Sequence, residues 1–292
     1  MFSVPSATPG MTFGRVAMIT GANTGIGRVT ALELAREGFR LFLAGRSLER
    51  TRPVLEEIKA LRAGPEPEFL PLELGDLVSV RACADAFLSR HLPLHLLVNN
   101  AGLAGARGLT TSGFEMAFGV NHIGHFLLTA LLVPRLKASA PARVVTVASR
   151  AHRRTGGIDW DAVRRPTATL LAVREYATSK LANILFSAEL GHRLSGTGVR
   201  TYSLHPGVID TDIWRGLPAP LRALNRLRLD CPAAGASTTL HCATSPAVAG
   251  DTGLYYSDCR PAAPSTAGSD ARLAHELWER SEAWTGVGLD AG

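Results

Sequence analysis

The stretch Tyr176-Ala-Thr-Ser-Lys180 places a phenol and an ammonium group one helical turn apart. Side chains at positions i and i+4 share a helix face, so both groups can reach one reacting atom. A lysine cation beside a tyrosine favours the phenolate and lowers the tyrosine pKa towards a useful range. Such a pair suits taking a proton from an alcohol or returning one to a carbonyl. A packed ring beside a solvated charge has the same spacing, so other segments must decide.

A glycine-rich turn near the N-terminus provides the first support. An apolar run from Val16 to Ile19 leads into Thr20-Gly-Ala-Asn-Thr-Gly-Ile-Gly27, and an amphipathic segment follows to Arg36. This order predicts a buried strand, a tight turn and a helix N-terminus. Glycines let the backbone approach a phosphate closely, and the helix end supplies free N–H groups and a positive dipole. A loop without a ligand is the alternative, but the strand–turn–helix context favours a pyrophosphate site.

Two further apolar runs end in polar side chains. Leu96-Leu-Val-Asn99-Asn100-Ala-Gly102 ends in two amides, and Arg143-Val-Val-Thr-Val-Ala-Ser149 ends in a hydroxyl. Ligands of open parallel sheets bind beyond the carboxyl ends of the strands. The alternatives are an ordinary Asn-Gly type of turn for the first segment and a turn cap for the second.

The whole chain predicts an α/β fold in which strands and helices alternate. This alternation indicates a parallel, doubly wound sheet with right-handed crossovers. The longest helices are predicted at Phe114–Leu136 and Tyr176–Leu194. Strands are predicted at Val16–Thr20, Leu41–Ala44, Glu68–Leu72, Leu94–Asn99, Ala142–Ala148, Val199–His205 and Gly253–Tyr256.

In this order, TGANTGIG, NNAG, a strand-end serine and YATSK resemble the short-chain dehydrogenase/reductase family, from about Arg15 to the C-terminus. Asn121-His-Ile-Gly-His-Phe126, the stretch from Ser179 to Phe186, and Leu277-Trp278 resemble its retinol dehydrogenase-like branch. The resemblance implies one Rossmann-type domain over residues 13–292, with a doubly wound parallel sheet of about seven strands flanked by helices. It also implies an enzyme that transfers hydride between a nicotinamide cofactor and CH–OH groups.

The resemblance also assigns catalytic roles. It makes Tyr176 the general acid/base and Lys180 the residue that binds the nicotinamide ribose, and it makes Ser149 the donor to the substrate oxygen. Asn121 would fix a water that relays protons from Lys180; as an additional role, its amide would brace a helix kink beside Gly124. The implied cofactor contacts are Gly21, Asn23, Thr24, Gly25, Ile26, Gly27, Arg46, Glu73, Leu74, Asn99, Ala101, Gly102, Tyr176, Lys180, Pro206, Gly207, Val208 and Thr211.

The end of the second predicted strand indicates the cofactor type. Gly45 stands where NAD-preferring members of the family carry Asp, and Arg46 follows it. An arginine there accommodates a 2′-phosphate, because its guanidinium can fork onto phosphate oxygens and stack on adenine. We therefore expect NADP, with NAD as the alternative. Glu73 stands where the family has an Asp that contacts adenine. Further candidates nearby are Arg28, Arg50 and Asp76.

A variable segment near residues 212–235 corresponds to the substrate lid of the family. Ile213, Trp214, Leu217 and Leu221 would give it an apolar wall, although a surface helix pair packed on the core fits these residues equally well. An apolar lid favours a hydrophobic alcohol, aldehyde or ketone as the substrate. His152, next to Arg153, is expected at the surface.

Composition and charge narrow the partners. The net charge is +6, but the arginines are scattered along the chain, and the sequence shows no nucleic-acid-binding module. The four cysteines have neither metal-ligand spacing nor a disulfide framework, so we expect no metal. Residues 1–12 are predicted to be a disordered lead-in without a signal-peptide pattern. No segment reaches the roughly 20 apolar residues that are needed to span a bilayer, so we expect no transmembrane segment. These features predict a cytoplasmic protein, and its long helices are compatible with a homo-oligomer.

Two other functions use the same fold. A sensor or scaffold that binds a dinucleotide without turnover would be expected to lose Ser149, Tyr176 or Lys180, and this chain retains all three. A reductase of C=C bonds, similar to protochlorophyllide reductase, shares much of the layout of this branch and is left open by the sequence.

Overall fold

Strands and helices alternate along the chain in the computed structural model, which describes residues 14–207 and 232–289. The strands are β1 (Val16–Thr20), β2 (Arg40–Gly45), β3 (Glu68–Pro71), β4 (Leu96–Asn99), β5 (Ala142–Val147), β6 (Val199–His205), β7 (Leu254–Ser257) and β8 (Arg260–Pro261). The helices are α1 (Gly25–Arg36), α2 (Leu48–Leu61), α3 (Leu77–Leu88), α4 (Met116–Ala138), α5 (Val173–Arg193), α6 (Pro232–Thr244) and α7 (Ala271–Thr285).

All of these strands belong to one sheet, in the order β3-β2-β1-β4-β5-β6-β7-β8. Neighbours from β3 to β7 pair in parallel, and β8 pairs antiparallel with β7. The predicted doubly wound parallel sheet is confirmed. The additional strand β8 is only two residues long and contains Pro261, so it has no periodicity that the sequence could reveal. The strand order reverses between β1 and β4, and such a switch point opens a ligand crevice at the strand ends.

The core lies on both faces of the sheet. Met18 points into one apolar cluster, which is completed by α3, α4 and α5 through Phe87, Phe126 and Phe186. Its neighbour Ile19 points into the other cluster, which is completed by α1, α2 and α6. Burial on both faces explains why the strands are continuous apolar runs instead of alternating apolar and polar residues.

Side-chain caps fix where the helices beside the crevice begin. Ser47 Oγ accepts the Arg50 N–H at 3.2 Å at the start of α2, and Asp76 Oδ1 accepts the Val78 N–H at 2.9 Å at the start of α3. Before α5, the Glu175 carboxylate accepts the N–H groups of Ala168 and Thr169. These contacts satisfy backbone donors that a helix or loop would otherwise leave unpaired.

Helix α4 requires a correction to the sequence-based expectation about membrane segments. Met116–Ala138 is a continuous helix of 23 residues that is long and apolar enough to cross a bilayer, with a mean hydropathy of 1.5 over its most apolar window. Of that window, 83% is buried inside the protein. The sequence predicts a helix of the same length here, at Phe114–Leu136, but its apolar content was not recognised as sufficient to span a bilayer. Such burial is typical of the core helix of a globular domain.

Several predictions concern residues outside the described ranges. They are the lead-in at residues 1–12, the cofactor contacts Val208 and Thr211, and the lid around 212–235 except for its last residues, which belong to the start of α6. In the described ranges, Cys83, Cys242 and Cys259 are free thiols.

Candidate active site

A cavity of about 1350 Å³ opens at the carboxyl ends of the strands, where the switch point predicts it. Most of the predicted cofactor and catalytic residues line it. They are Gly21, Asn23, Thr24, Gly25, Ile26, Gly27, Arg46, Glu73, Leu74, Ala101, Gly102, Ser149, Tyr176, Lys180, Pro206 and Gly207.

The glycine-rich turn forms one wall of the cavity and lacks room for larger residues. Gly21 has a φ of +68°, and a Cβ there would lie 2.9 Å from the Cα of Ala101. A Cβ on Gly27 would lie 2.5 Å from both Asn100 Nδ2 and the Gly21 carbonyl oxygen. Helix α1 begins at Gly25 without a side-chain cap, so its first N–H groups are free to bind an anion. The turn therefore fits a pyrophosphate group.

The two amides at the end of β4 have different positions. Asn99 is 1% exposed, its Nδ2 donates to Thr129 Oγ1 at 2.9 Å, and it does not line the cavity. Asn100 does line the cavity, and its Nδ2 donates to the Thr20 carbonyl oxygen at 2.8 Å. The structure therefore brings the Asn100 side chain, and not that of Asn99, to the cavity, and the cofactor contact stays a prediction. The sequence could not separate these neighbours, because which one faces the cavity depends on their partners, Thr129 and Thr20, which are distant in the chain.

Tyr176, Lys180 and Ser149 meet as the sequence predicts. Tyr176 and Lys180 lie on the same face of α5 and are 5% and 1% exposed, and Ser149 follows β5. The hydroxyl groups of Tyr176 and Ser149 share a hydrogen bond. Lys180 Nζ lies 5.7 Å from the centre of the Tyr176 ring. Ser149 is also the turn cap that the sequence offered as an alternative, because its Oγ accepts the Ala151 N–H at 3.1 Å.

Burial moves the pKa values of this pair in directions that the sequence did not predict. It raises the pKa of Tyr176 to about 12, and the bond from Ser149 only partly opposes this. It lowers the pKa of Lys180 to about 7. Each group shifts towards its neutral form because the surroundings solvate charge poorly. The sequence predicts that Lys180 lowers the Tyr176 pKa, but in the structure burial raises it instead.

Asn121 supports the site from below the cavity surface. It is fully buried in a π-helical turn of α4, at Gly119–Ile123. Its Nδ2 donates to the Leu103 carbonyl oxygen and to Ser179 Oγ, and its Oδ1 accepts the Leu103 N–H at 2.9 Å. A Cβ on Gly102 would lie 3.3 Å from Asn121 Oδ1 and 3.5 Å from Lys180 Nζ. The Asn121 amide is therefore a bracing group, but it braces Leu103 and Ser179 and not the helix beside Gly124 as the sequence suggested; the water relay stays a prediction.

The opposite end of the cavity carries the residues that were expected to select the cofactor. Arg46 Nη1 lies 3.7 Å from Glu73 Oε2, and both side chains are roughly half exposed. Arg50 also lines the cavity. Arg28, the other candidate helper, does not line it and instead forms a 2.6 Å ion pair with Glu57. Asp76 caps α3 and does not line the cavity, so of these two candidate acids only Glu73 lies beside it.

Some cavity residues were missed or misplaced by the sequence reasoning. His205 lines the cavity, is 4% exposed, and has an Nε2 without a hydrogen-bond partner among the described residues. Arg154 also lines the cavity, and the dense pair Arg153-Arg154 was the available signal. The expectation that His152 lies at the surface is wrong. Its ring is buried, with Nδ1 in contact with the Ser149 carbonyl oxygen and Nε2 accepting the Ser265 N–H at 3.0 Å.

Comparison with known proteins identifies the family. The sequence profile described as short chain dehydrogenase matches residues 15–162. The chain belongs to the short-chain dehydrogenase/reductase family. It is 45% identical to bovine dehydrogenase/reductase SDR family member 13, over 94% of this chain and 74% of that protein. It is 41% identical to human retinol dehydrogenase 11, over 95% of this chain and 87% of that protein.

Solved structures agree with this placement. A Mycobacterium paratuberculosis protein of unassigned function has a TM-score of 0.76 and 32% identity, with 94% of each chain covered. Pseudomonas aeruginosa RhlG, solved with NADP, has a TM-score of 0.64 and 27% identity, with 84% of this chain and 94% of that chain covered. This short-chain dehydrogenase/reductase is therefore retinol dehydrogenase-like and an oxidoreductase that acts on CH–OH groups. Family membership supports a nicotinamide dinucleotide as its cofactor.

Proposed function

We propose that this protein is an NADP-dependent oxidoreductase that interconverts a hydrophobic alcohol and its aldehyde or ketone. The observation that carries the proposal is the hydrogen bond between the hydroxyl groups of Ser149 and Tyr176, beside Lys180, in a cavity whose other wall is the glycine-rich turn. A substrate oxygen can contact both hydroxyl groups at this point.

Ser149 and Tyr176 have different roles at the substrate oxygen. When bound, the nicotinamide dinucleotide supplies or accepts the hydride. Ser149 donates a hydrogen bond that holds the substrate oxygen against the phenol. Tyr176 gives its proton to the oxygen during reduction and takes one back during oxidation. Its pKa of about 12 keeps the phenol protonated at neutral pH, which is the form that reduction needs.

Lys180 supplies a positive charge close to the phenol. Its Nζ donates to the Val147 carbonyl oxygen at 2.8 Å, which holds the ammonium group at the end of β5. Asn183 Nδ2 donates to the same carbonyl oxygen at 3.1 Å. With a pKa of about 7, Lys180 is partly charged near neutral pH. Polar groups of a bound ribose would favour its charged form, which would in turn favour the phenolate that oxidation needs.

The choice of NADP rests on Arg46. Its guanidinium is the positive charge at the end of β2, and it lies on the cavity wall beside the glycine-rich turn. Glu73 is too far away, at 3.7 Å, to hold this guanidinium in a short bidentate bond, so it can turn towards a 2′-phosphate. The NADP complex of the related Pseudomonas aeruginosa structure agrees with this choice. NAD is the alternative dinucleotide.

The substrate class rests on apolar residues of the cavity and on the relatives. Leu103, Leu109, Met116 and Val173 line the cavity, and Val173 lies one turn before Tyr176 on α5. Several relatives are retinol dehydrogenases, including human members 11 and 14 at 41% and 38% identity. These features support a small hydrophobic alcohol or carbonyl compound. A cytoplasmic location completes the proposal, and a homo-oligomer is compatible with it.

NADPH oxidation against a panel of hydrophobic aldehydes, ketones and enones tests this function. We expect turnover with an aldehyde or ketone, a lower rate with NADH, and no turnover in Tyr176→Phe. Reduction of the enone double bond alone would replace the proposal with a C=C reductase. Tight dinucleotide binding without turnover of any compound would favour the sensor.

A further inference from the structure

His125 is a fully buried histidine on α4 whose two ring nitrogens are both engaged. Nδ1 lies 3.0 Å from the carbonyl oxygen of Asn121, and Nε2 lies 2.9 Å from Thr20 Oγ1. A carbonyl oxygen can only accept, so Nδ1 must carry the proton. Nε2 of the neutral ring then accepts from the Thr20 hydroxyl. The two contacts therefore fix both the tautomer of His125 and the direction of the hydroxyl proton.

The orientation of the Thr20 hydroxyl determines which hydrogen bonds it makes to the loop after β4. Thr20 Oγ1 accepts the N–H groups of Asn100 and Ala101 at 3.0 and 2.9 Å. With its proton donated to His125, the hydroxyl uses its full capacity of one donor and two acceptor sites. The other acceptor within reach is the Val98 carbonyl oxygen, which is 3.4 Å away. His125 is thus the better acceptor for this hydroxyl.

The Asn121 contact closes a ring of hydrogen bonds around the same loop. The side chain of Asn121 holds Leu103 through both the N–H and the carbonyl group of that residue. Residues 100–103, here called the 100–103 loop, are therefore held at one end by Thr20 and at the other by Asn121. His125 is the residue that joins these two anchors.

We propose that His125 is a positioning residue that closes this ring and so presets the 100–103 loop to bind the nicotinamide dinucleotide. The loop lines the cavity through all four of its residues, whereas His125 does not reach the cavity. The inference rests on the proposed function only in that the dinucleotide binds in this cavity. Burial lowers the pKa of His125 to about 4, so the neutral ring that both contacts require is present at neutral pH.

His122 provides a matched control on the same helix. It is also buried, at 1% exposure, and burial lowers its pKa to about 3. Its Nε2 lies 3.1 Å from Ser281 Oγ on α7 and its Nδ1 has no hydrogen-bond partner among the described residues, so it makes no hydrogen bond to the 100–103 loop. A substitution at His122 therefore removes a buried imidazole of the same size and leaves the hydrogen bonds among Thr20, His125, Asn121 and the loop intact.

Three substitutions of His125 separate its two contacts. The amide nitrogen of His125→Asn stands near the position of Nδ1, and the amide oxygen of His125→Gln stands near the position of Nε2. His125→Phe removes both contacts while filling a similar volume. The measurements are NADPH binding by calorimetry and amide hydrogen exchange of Asn100, Ala101 and Leu103 in the protein without added dinucleotide.

We expect His125→Phe to weaken NADPH binding by about tenfold and to speed exchange of these amides by a similar factor, as the loss of one or two hydrogen bonds implies. His125→Asn should restore protection of Leu103, and His125→Gln should restore protection of Asn100 and Ala101. His122→Phe should lower the unfolding temperature and leave binding and loop exchange within about twofold of wild type.

The proposal is overturned if His125→Phe leaves loop exchange and binding unchanged, or if His122→Phe alters them equally, since the effect would then be one of general packing. If His125→Phe does not fold, His125→Asn and His125→Gln decide the question through the amides that each protects. Equal exchange at all three amides in both variants overturns the proposal. A wild-type protein that binds no dinucleotide would overturn the proposed function instead, because loop exchange is measured without it.

Discussion

Lys180 Nζ donates a 2.8 Å hydrogen bond to the carbonyl oxygen of Val147, two residues before Ser149. This bond joins the helix that carries Tyr176 to the strand that carries Ser149. This bond therefore helps to hold the three side chains of the candidate site in register across α5 and the end of β5. The same carbonyl oxygen accepts from Asn183, which lies on α5 just beyond Lys180.

Tyr176→Phe tests the proton-transfer role of the phenol. The substitution keeps the ring and removes only the hydroxyl, so we expect turnover to fall by about 10²- to 10⁴-fold, the usual range for a general acid or base. NADPH affinity should stay within about threefold, well below the tenfold that 1.4 kcal/mol represents. Steady-state kinetics and calorimetry measure both quantities. Unchanged turnover, or a loss confined to NADPH binding, would contradict the role.

Lys180→Met tests the burial of the lysine through the pH dependence of folding. The Lys180 pKa is about 7 in the folded protein, whereas the ordinary pKa of a lysine is 10.5, so between these two values the unfolded chain binds more protons. The stability of wild type should therefore rise with pH across this window relative to the variant, by up to about 1.4 kcal/mol per pH unit. The variant should be the more stable protein at pH 6, and its advantage should shrink towards pH 10.

Urea unfolding of both proteins between pH 6 and pH 10 measures this difference. A difference in the free energy of unfolding that stays constant over the range would show that Lys180 titrates normally in the folded protein.

Arg46→Asp tests the assignment of the 2′-phosphate. Replacing the guanidinium by a carboxylate should change the ratio of kcat/KM for NADPH to that for NADH by at least about 100-fold, because a favourable charge contact becomes a repulsive one. Arg52→Asp is the control, since it makes the same charge change at an exposed position on α2 that does not line the cavity. An equal shift in both variants would indicate a general charge effect and remove Arg46 from the site.

Gly27→Ala tests how tightly the glycine-rich turn packs. The new Cβ would lie 2.5 Å from Asn100 Nδ2 and from the Gly21 carbonyl oxygen, so these groups must move. We expect a loss of about 1–3 kcal/mol in the free energy of unfolding, as for other overpacked sites, together with weaker NADPH binding. Gly156→Ala is the control, because a Cβ there meets nothing within 4 Å. Equal stability of both variants would contradict the close packing.

The sequence alone determined the α/β architecture, the positions of the main strands and most of the cavity residues. Parallel strands buried on both faces need continuous apolar runs, and these runs are visible in the sequence. The glycine-rich turn and the Tyr176–Lys180 pair are local patterns whose spacing fixes their geometry. Their family resemblance is supported by the profile match and by the relatives.

The tertiary structure decided what depends on neighbours distant in sequence. It turned Asn100 towards the cavity and Asn99 towards Thr129, and it buried His152 under Ser265. It also raised the Tyr176 pKa and lowered the Lys180 pKa, because burial depends on the packing of α5 against the sheet. His125 contacts Thr20 across 105 positions of the chain, a relationship that no local spacing specifies. Local patterns are set by helix and strand periodicity, whereas solvation and long-range hydrogen bonds arise only when the chain folds.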